Sequence, residues 1–264
     1  MKNILVPVGN SKNVESHLQY AVDFSKAFGA RLYVVRVYHL KLHPGTFNKI
    51  DQVLEQENLE FLNALIAKID TKDVDIVIKS FKGKLVSTLE LICKTANVDL
   101  MLIEPRTNSI REEVFLGKTS GKVIKKTNIP TLIVPEGYQF KAVSNILLAV
   151  KSAIIKKEHA LLPLQHVQHS FNSVVNLLLV KTPFYNEGDF VVNPFLKSIV
   201  NETAYSENAT TFKGVLEHYN DYTPDLLCVF RRKRGFFNKM WEKNVILKKD
   251  FYSAFPVLVL KGVK

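Results

Sequence analysis

The chain states one pattern twice, and that repetition limits what it can fold into more than any other feature. Lys2-Asn3-Ile4-Leu5-Val6-Pro7-Val8 returns as Ser144-Asn145-Ile146-Leu147-Leu148-Ala149-Val150. Val98-Asp99-Leu100-Met101-Leu102-Ile103 returns as Pro224-Asp225-Leu226-Leu227-Cys228-Val229, and Ile129-Pro130-Thr131-Leu132-Ile133-Val134 as Phe255-Pro256-Val257-Leu258-Val259-Leu260. The matches keep their order. Their offset is 142 at the start (145 − 3) and 126 later (225 − 99), so sixteen residues are missing inside the second copy. A repeat of this length is a domain duplication, and its 264 residues divide into two units that can each bury a core.

Each repeated segment is a short, continuous apolar run, the mark of a parallel strand covered on both faces. In the first half such runs are Ile4 to Val8, Leu32 to Val37, Val74 to Ile78, Leu100 to Ile103 and Thr131 to Val134. Helical spacing fills the gaps at Ser11 to Phe28, Ile50 to Ile69, Leu85 to Ala96 and Thr119 to Lys126, with Gly29 as the stop of the first. The second half predicts strands at Ile146 to Val150, Val174 to Val180, Thr203 to Ser206, Leu226 to Phe230 and Val257 to Leu260. Its helices are expected at Ala160 to Val167, Phe212 to Tyr219 and near Asn244 to Tyr252. The deletion leaves only a stub at Phe195 to Val200. Alternating strands and helices give an α/β fold with right-handed crossovers and helices on both sheet faces. The domains are expected at residues 1–138 and 139–264, with Pro135 to Val143 as the linker.

Composition narrows the function classes. No apolar run approaches the ~18 residues of a membrane span, and the chain enters a strand without a charged-then-apolar export signal. Cys93 and Cys228 fall on a helix and a strand and read as small buried hydrophobes, which suits a cytoplasmic protein. The net charge of +11 bears on solubility and encounter, and much of it is local to Arg231-Arg232-Lys233-Arg234 and Lys248-Lys249.

The ordered set of segments resembles the universal stress protein family. It comprises the Ile4-Leu5-Val6-Pro7 strand, Gly83-Lys84 leading into a helix, Val98 to Ile103, Glu113-Val114-Phe115-Leu116-Gly117, and Asn128 to Val134. The whole chain resembles the tandem members of that family. The resemblance implies two doubly wound domains, each a five-stranded parallel sheet ordered 3-2-1-4-5. It also implies packing as an internal pseudo-dimer through the fifth strands, Thr131 to Val134 and Val257 to Leu260. Ligands in such sheets bind where the strand order reverses, between the first and fourth strands. Nucleotide-binding members carry an acid after the first strand. After the fourth they carry Gly-x2-Gly-x9-Gly-(Ser/Thr), where glycine lets the main chain approach phosphate.

This chain departs from that pattern. In the first half the glycine positions hold Glu104, Thr107 and Gly117, Lys118 replaces the hydroxyl residue, and Gly9 stands at the acid position before Asn10. In the second half the slots read Phe230, Lys233, Lys243 and Asn244. A carboxylate about 4 Å from a phosphate costs on the order of 4 kcal/mol at a partly screened site, roughly three decades of affinity. ATP binding is therefore expected to be lost in the second half and compromised in the first, so no cofactor is assigned. The remnant nucleotide candidates are Gly9, Asn10, Thr107, Gly117, Lys118 and Thr119.

Gly117-Lys118-Thr119 imitates the end of a P-loop, but the glycine needed five positions earlier is Glu112, and Ser109 to Leu116 does not read as a strand. The ordinary reading is a helix N-terminus capped by Thr119 or Ser120. Arg231, Arg232, Lys233 and Arg234 follow the fourth strand of the second half and form an anion-binding candidate, set against a solvated basic loop. His166 with His169, and His39 with His43, lack a third ligand, so no metal is expected. Asp99 and Asp225 suit turn chemistry better than catalysis, and no nucleophile is paired with a base. The expectation is a non-enzymatic, cytoplasmic binding or regulatory protein of the stress response. Its expected partners are an unidentified protein or a second copy, not a membrane or nucleic acid. Two alternatives stay open: a residual ATP site in the first half, and a polyanion site on the basic cluster.

Overall fold

The computed structural model describes residues 1–39, 47–105, 114–155, 157–231, 246–247 and 252–261. The first half runs β1 (Asn3–Pro7), α1 (Val14–Phe28), β2 (Arg31–Tyr38), α2 (Phe47–Ile66), β3 (Ile76–Lys82), α3 (Leu85–Thr95), β4 (Leu100–Ile103), β5 (Val114–Leu116), α4 (Lys118–Lys126) and β6 (Thr131–Ile133). The second runs β7 (Asn145–Val150), a 3-10 turn (Glu158–Leu161), α5 (Leu162–Phe171), β8 (Val174–Lys181), α6 (Pro194–Ile199) and β9 (Glu202–Glu207). It continues through α7 (Thr211–Glu217), α8 (Tyr219–Tyr222), β10 (Leu226–Arg231), β11 (Ile246–Leu247) and β12 (Val257–Lys261).

Ten strands form one sheet in the order β3-β2-β1-β4-β6-β12-β10-β7-β8-β9. Read from either edge inward, each half is ordered 3-2-1-4-5. All pairings within a half are parallel. The halves join where β6 and β12 run antiparallel, with Val257 opposite Ile133 and Val259 opposite Thr131. The two fifth strands thus cover each other's edge, which would otherwise present unpaired backbone groups.

The continuous apolar strands follow from this burial. Side chains alternate faces along a strand, and Ile4 and Val6 join one core while Leu5 joins the other. Leu100 and Leu102 against Met101 and Ile103 repeat the division, as do Ile146 and Leu148 against Leu147 and Ala149. One face is covered by α1, α2, α5 and α6 through Leu18, Leu62, Leu164 and Leu196; the other by α3, α4 and α7 through Leu89, Ile124 and Val215. Both cores continue across the β6–β12 seam. Aromatic side chains close the first face between the halves: Phe28 of α1 meets Phe171 of α5 edge-on at 5.5 Å, and Phe140 lies 6.0 Å from Phe171.

The two halves share their local devices. Asp99 Oδ2 accepts from the Lys2 and Asn3 amides at 2.6 and 3.0 Å, and Asp225 Oδ2 accepts from those of Ser144 and Asn145 at 2.9 and 3.0 Å. Each aspartate staples the start of the fourth strand to the start of the first. Burial pushes the Asp225 carboxyl up, but the bond from Lys141 and the two amides outweigh it and hold it below its ordinary range. The deletion is visible as α6, six residues where α2 has twenty.

Three expectations change. Residues 246–247 are strand, not helix, because β11 pairs antiparallel with β5, Ile246 opposite Leu116. The rest of the expected helix near Asn244 to Tyr252 lies largely outside the described residues. Val114–Leu116, read as non-strand, forms β5 because a partner strand about 130 residues away supplies its hydrogen bonds. Helix α4 is not capped by Thr119 or Ser120: Gly117 is its N-cap, without a side-chain hydrogen bond.

Candidate functional site

In a 3-2-1-4-5 sheet the crossovers change direction between the first and fourth strands, opening a crevice at their C-terminal ends. The first half places Gly9, Asn10 and Ser11 on one side of it, after β1, and Glu104 on the other, after β4. Ser11 Oγ donates to Glu104 Oε1 at 2.8 Å, so the carboxylate spans the switch point. The Glu104 carbonyl accepts from Ser120 Oγ at 2.8 Å, and Ser120 lies in the first turn of α4. Two hydrogen bonds thus connect the β1–α1 turn to the helix that begins at Gly117. Glu104 is 8% exposed and Ser11 half-buried, so the carboxylate end of the bridge lies inside the fold.

Beside this bridge, Asn10 Oδ1 accepts from Arg36 Nη2 at 2.9 Å. The Arg36 guanidinium stacks on the Phe61 ring at 4.1 Å, a cation–π contact that fixes it over α2. Of the remnant candidates, Gly9 and Asn10 follow β1, Gly117 is the N-cap of α4, and Thr119 lies exposed in its first turn. Thr107 and the side chain of Lys118 lie outside the described residues.

The second crevice is built differently. After β7, Ser152 and Ala153 are buried beneath a loop that returns from β8. The Ala153 amide donates to the Asp189 carbonyl at 2.7 Å, and Asp189 Oδ2 accepts from the Asn186 amide at 2.8 Å. Burial pushes the Asp189 carboxyl up, but hydrogen bonds from Asn186 and Ser152 and the charge of Lys151 hold it below its ordinary range. Gly188, at φ +86, supplies the left-handed turn that brings Asp189 inward. Phe190 anchors the loop between Tyr185 at 4.9 Å and Tyr205 at 5.7 Å. At the position equivalent to Glu104 stands Phe230, 5% exposed and part of the core.

The basic cluster needs a correction. Arg231 is not an exposed anion ligand: its Nη1 donates to the Lys125 carbonyl and its Nη2 to Asn128 Oδ1 at 3.2 Å, both in the first half. The strand end carries it against α4, a contact that a run of basic residues gives no means of foreseeing. Arg232, Lys233 and Arg234 lie outside the described residues. Lys261 was not foreseen either. It is 7% exposed, and its Nζ donates to the Ile124 carbonyl at 2.8 Å. Burial first, and then the charge of Arg231, hold its amine well below the ordinary range. Among the described residues no cluster of three or more His, Cys, Asp or Glu side chains is placed to hold a metal. His43 lies outside them.

With this geometry in hand, the comparisons decide the family. The universal stress protein family model matches residues 1–135. The chain belongs to the universal stress protein family. Solved structures extend the fold assignment across both halves. A universal stress protein from Archaeoglobus fulgidus DSM 4304 covers 98% of this chain with 96% of its own, at 16% identity and a TM-score of 0.68. A protein of unknown function from Pseudomonas aeruginosa PAO1 covers 99% of the chain with 92% of its own, at 10% identity and a TM-score of 0.60. No curated protein matches the sequence. At these identities the structures speak for the tandem universal stress protein architecture and not for a ligand. No helix among the described residues is long and apolar enough to cross a membrane.

Proposed function

We propose that this universal stress protein is a binding or regulatory protein of the stress response whose two crevices no longer take nucleotide. One observation supports the reading: each crevice carries the chain's own side chains where a nucleotide-binding relative would need open glycine. The Ser11–Glu104 bridge crosses the first, and at the second the loop through Asp189 is tied to Ala153 while Phe230 stands at the glycine position near the end of β10. A phosphate entering the first crevice must displace a carboxylate of its own sign, and one entering the second must displace packed aromatic side chains.

The same reading makes the protein non-catalytic. Burial, reinforced by Glu90, pushes the Cys93 thiol up to about 12, and burial also pushes the Cys228 thiol up, so neither is a ready nucleophile. Two buried, unpaired cysteines suit a cytoplasmic protein. A second copy or an unidentified protein is the partner this reading admits.

A residual ATP site in the first half has one observation in its favour: α4 opens at Gly117 without a side-chain cap, leaving first-turn amides without that partner. Titration calorimetry with Mg-ATP separates the two readings. The proposal expects no saturable heat up to millimolar nucleotide. A saturating one-to-one isotherm would establish the residual site instead.

A further inference from the structure

Helix α4 is held at its two ends by different halves of the molecule. Its first turn is tied to the first crevice through Ser120 and the Glu104 carbonyl. Its last turn leaves carbonyl oxygens without intrahelical partners, as every helix does. Val123 is served locally, by the Thr127 amide at 3.0 Å and the Thr127 hydroxyl at 2.8 Å. The next two carbonyls are served by the second half: Lys261 Nζ bonds Ile124, and Arg231 Nη1 bonds Lys125.

This is a built arrangement. Arg231 and Lys261 are register partners on the neighbouring strands β10 and β12. Two basic side chains side by side repel each other, and burial makes the repulsion stronger. What they face in common is the negative end of a helix dipole and its carbonyl oxygens, which favour such groups. The acid that bears on Arg231 is Glu90 of α3. Asn128, just past α4, takes the second guanidinium nitrogen and fixes its plane. Because the two donors stand at the ends of adjacent strands beyond the β6–β12 seam, they read the position of α4 from the other half.

We propose that Arg231 and Lys261 form an interdomain latch that holds α4 in place and so keeps the first crevice closed by Glu104. The latch makes the nucleotide crevice of one half conditional on the packing of the other. Loosening the helix at its C-terminal end weakens the Ser120–Glu104 link at its N-terminal end. By reciprocity, loosening Glu104 is felt at the ends of β10 and β12. This rests on the reading of Glu104 as the closing group, but its test involves no nucleotide and fails separately.

The test is amide hydrogen exchange read residue by residue by NMR, in the full chain and in Arg231→Met, Lys261→Met and the double variant. Two hydrogen bonds from basic groups correspond to at least about tenfold faster exchange when both are lost. The latch predicts that acceleration in the double variant, reaching back along α4 as far as Gly121, whose amide bonds the Gly117 carbonyl at 2.9 Å. Leu18 to Phe24 of α1 should keep their protection. Unchanged exchange in α4, acceleration confined to Lys125 to Thr127, or a uniform rise in every element would each overturn it. Should the double variant fail to fold, the unaltered protein in graded urea decides. Gly121 to Thr127 and Val257 to Lys261 should then open with one shared urea dependence, and separate openings would refute the latch.

Discussion

The first and second crevices occupy equivalent places in a duplicated fold, yet the groups that stand at them are opposite in kind. The first carries polar groups: one carboxylate, one serine hydroxyl at 2.8 Å from it, and nearby a stacked guanidinium. The second carries buried apolar ones, with Phe230 in the core and a loop tied to Ala153 through Asp189 and packed through Phe190. A polar group of this kind can be removed by one substitution with little loss of packing. A buried aromatic group is part of the domain's stability, and removing it costs core packing.

Five substitutions sharpen or break that contrast. Phe230→Ala should have the largest effect, a loss of about 3–5 kcal/mol in urea unfolding and no gain of ATP affinity, because it empties core volume. A neutral result would mean that the second crevice is not closed by packing. Glu104→Ala should act in the opposite sense. Calorimetry should show Mg-ATP affinity rising on the order of a hundredfold to a thousandfold as the like charge is removed, with only a modest loss of stability. No gain would show that something other than the carboxylate blocks the first crevice.

Asp99→Ala and Asp225→Ala remove the staple that both halves retain, and each should cost about 1–3 kcal/mol in the same unfolding assay. Similar losses are expected, since each carboxylate accepts two backbone amides; widely different ones would break the symmetry drawn here. The last is a slope. The Lys261 amine is held low in the folded state, so the unfolded chain binds more protons between that lowered value and the ordinary 10.5. Stability of the parent relative to Lys261→Met should therefore climb with pH through that window and level off above it. A flat difference, followed by chemical denaturation at several pH values, would mean that Lys261 is not perturbed by burial.

Much of the fold was legible in the chain because parallel strands announce themselves. Runs such as Leu100 to Ile103 must be apolar at every position to serve two cores, and the repeat gave their order. Even the seam between Thr131 to Val134 and Val257 to Leu260 followed from the family's strand order and the need to cover an edge. The first site was partly legible, since Glu104 stands where glycine is needed. What escaped detection depends on contacts between distant residues. Strands β5 and β11 are three and two residues long, too short for any period to register. Ser11 and Ser120 look like ordinary capping residues until the fold sets Glu104 between them. Arg231 read as the first of a solvated charge run, and Lys261 as one more terminal lysine. Neither carries a local sign that the end of α4, more than a hundred residues earlier, is its partner.

The central claim is that the chain's own side chains stand where nucleotide would. It is tested most directly by native mass spectrometry of the protein, purified without added nucleotide and then exposed to millimolar Mg-ATP. The account predicts the mass of the bare chain in both samples. A retained or saturable adenine-nucleotide adduct at one per chain would contradict it.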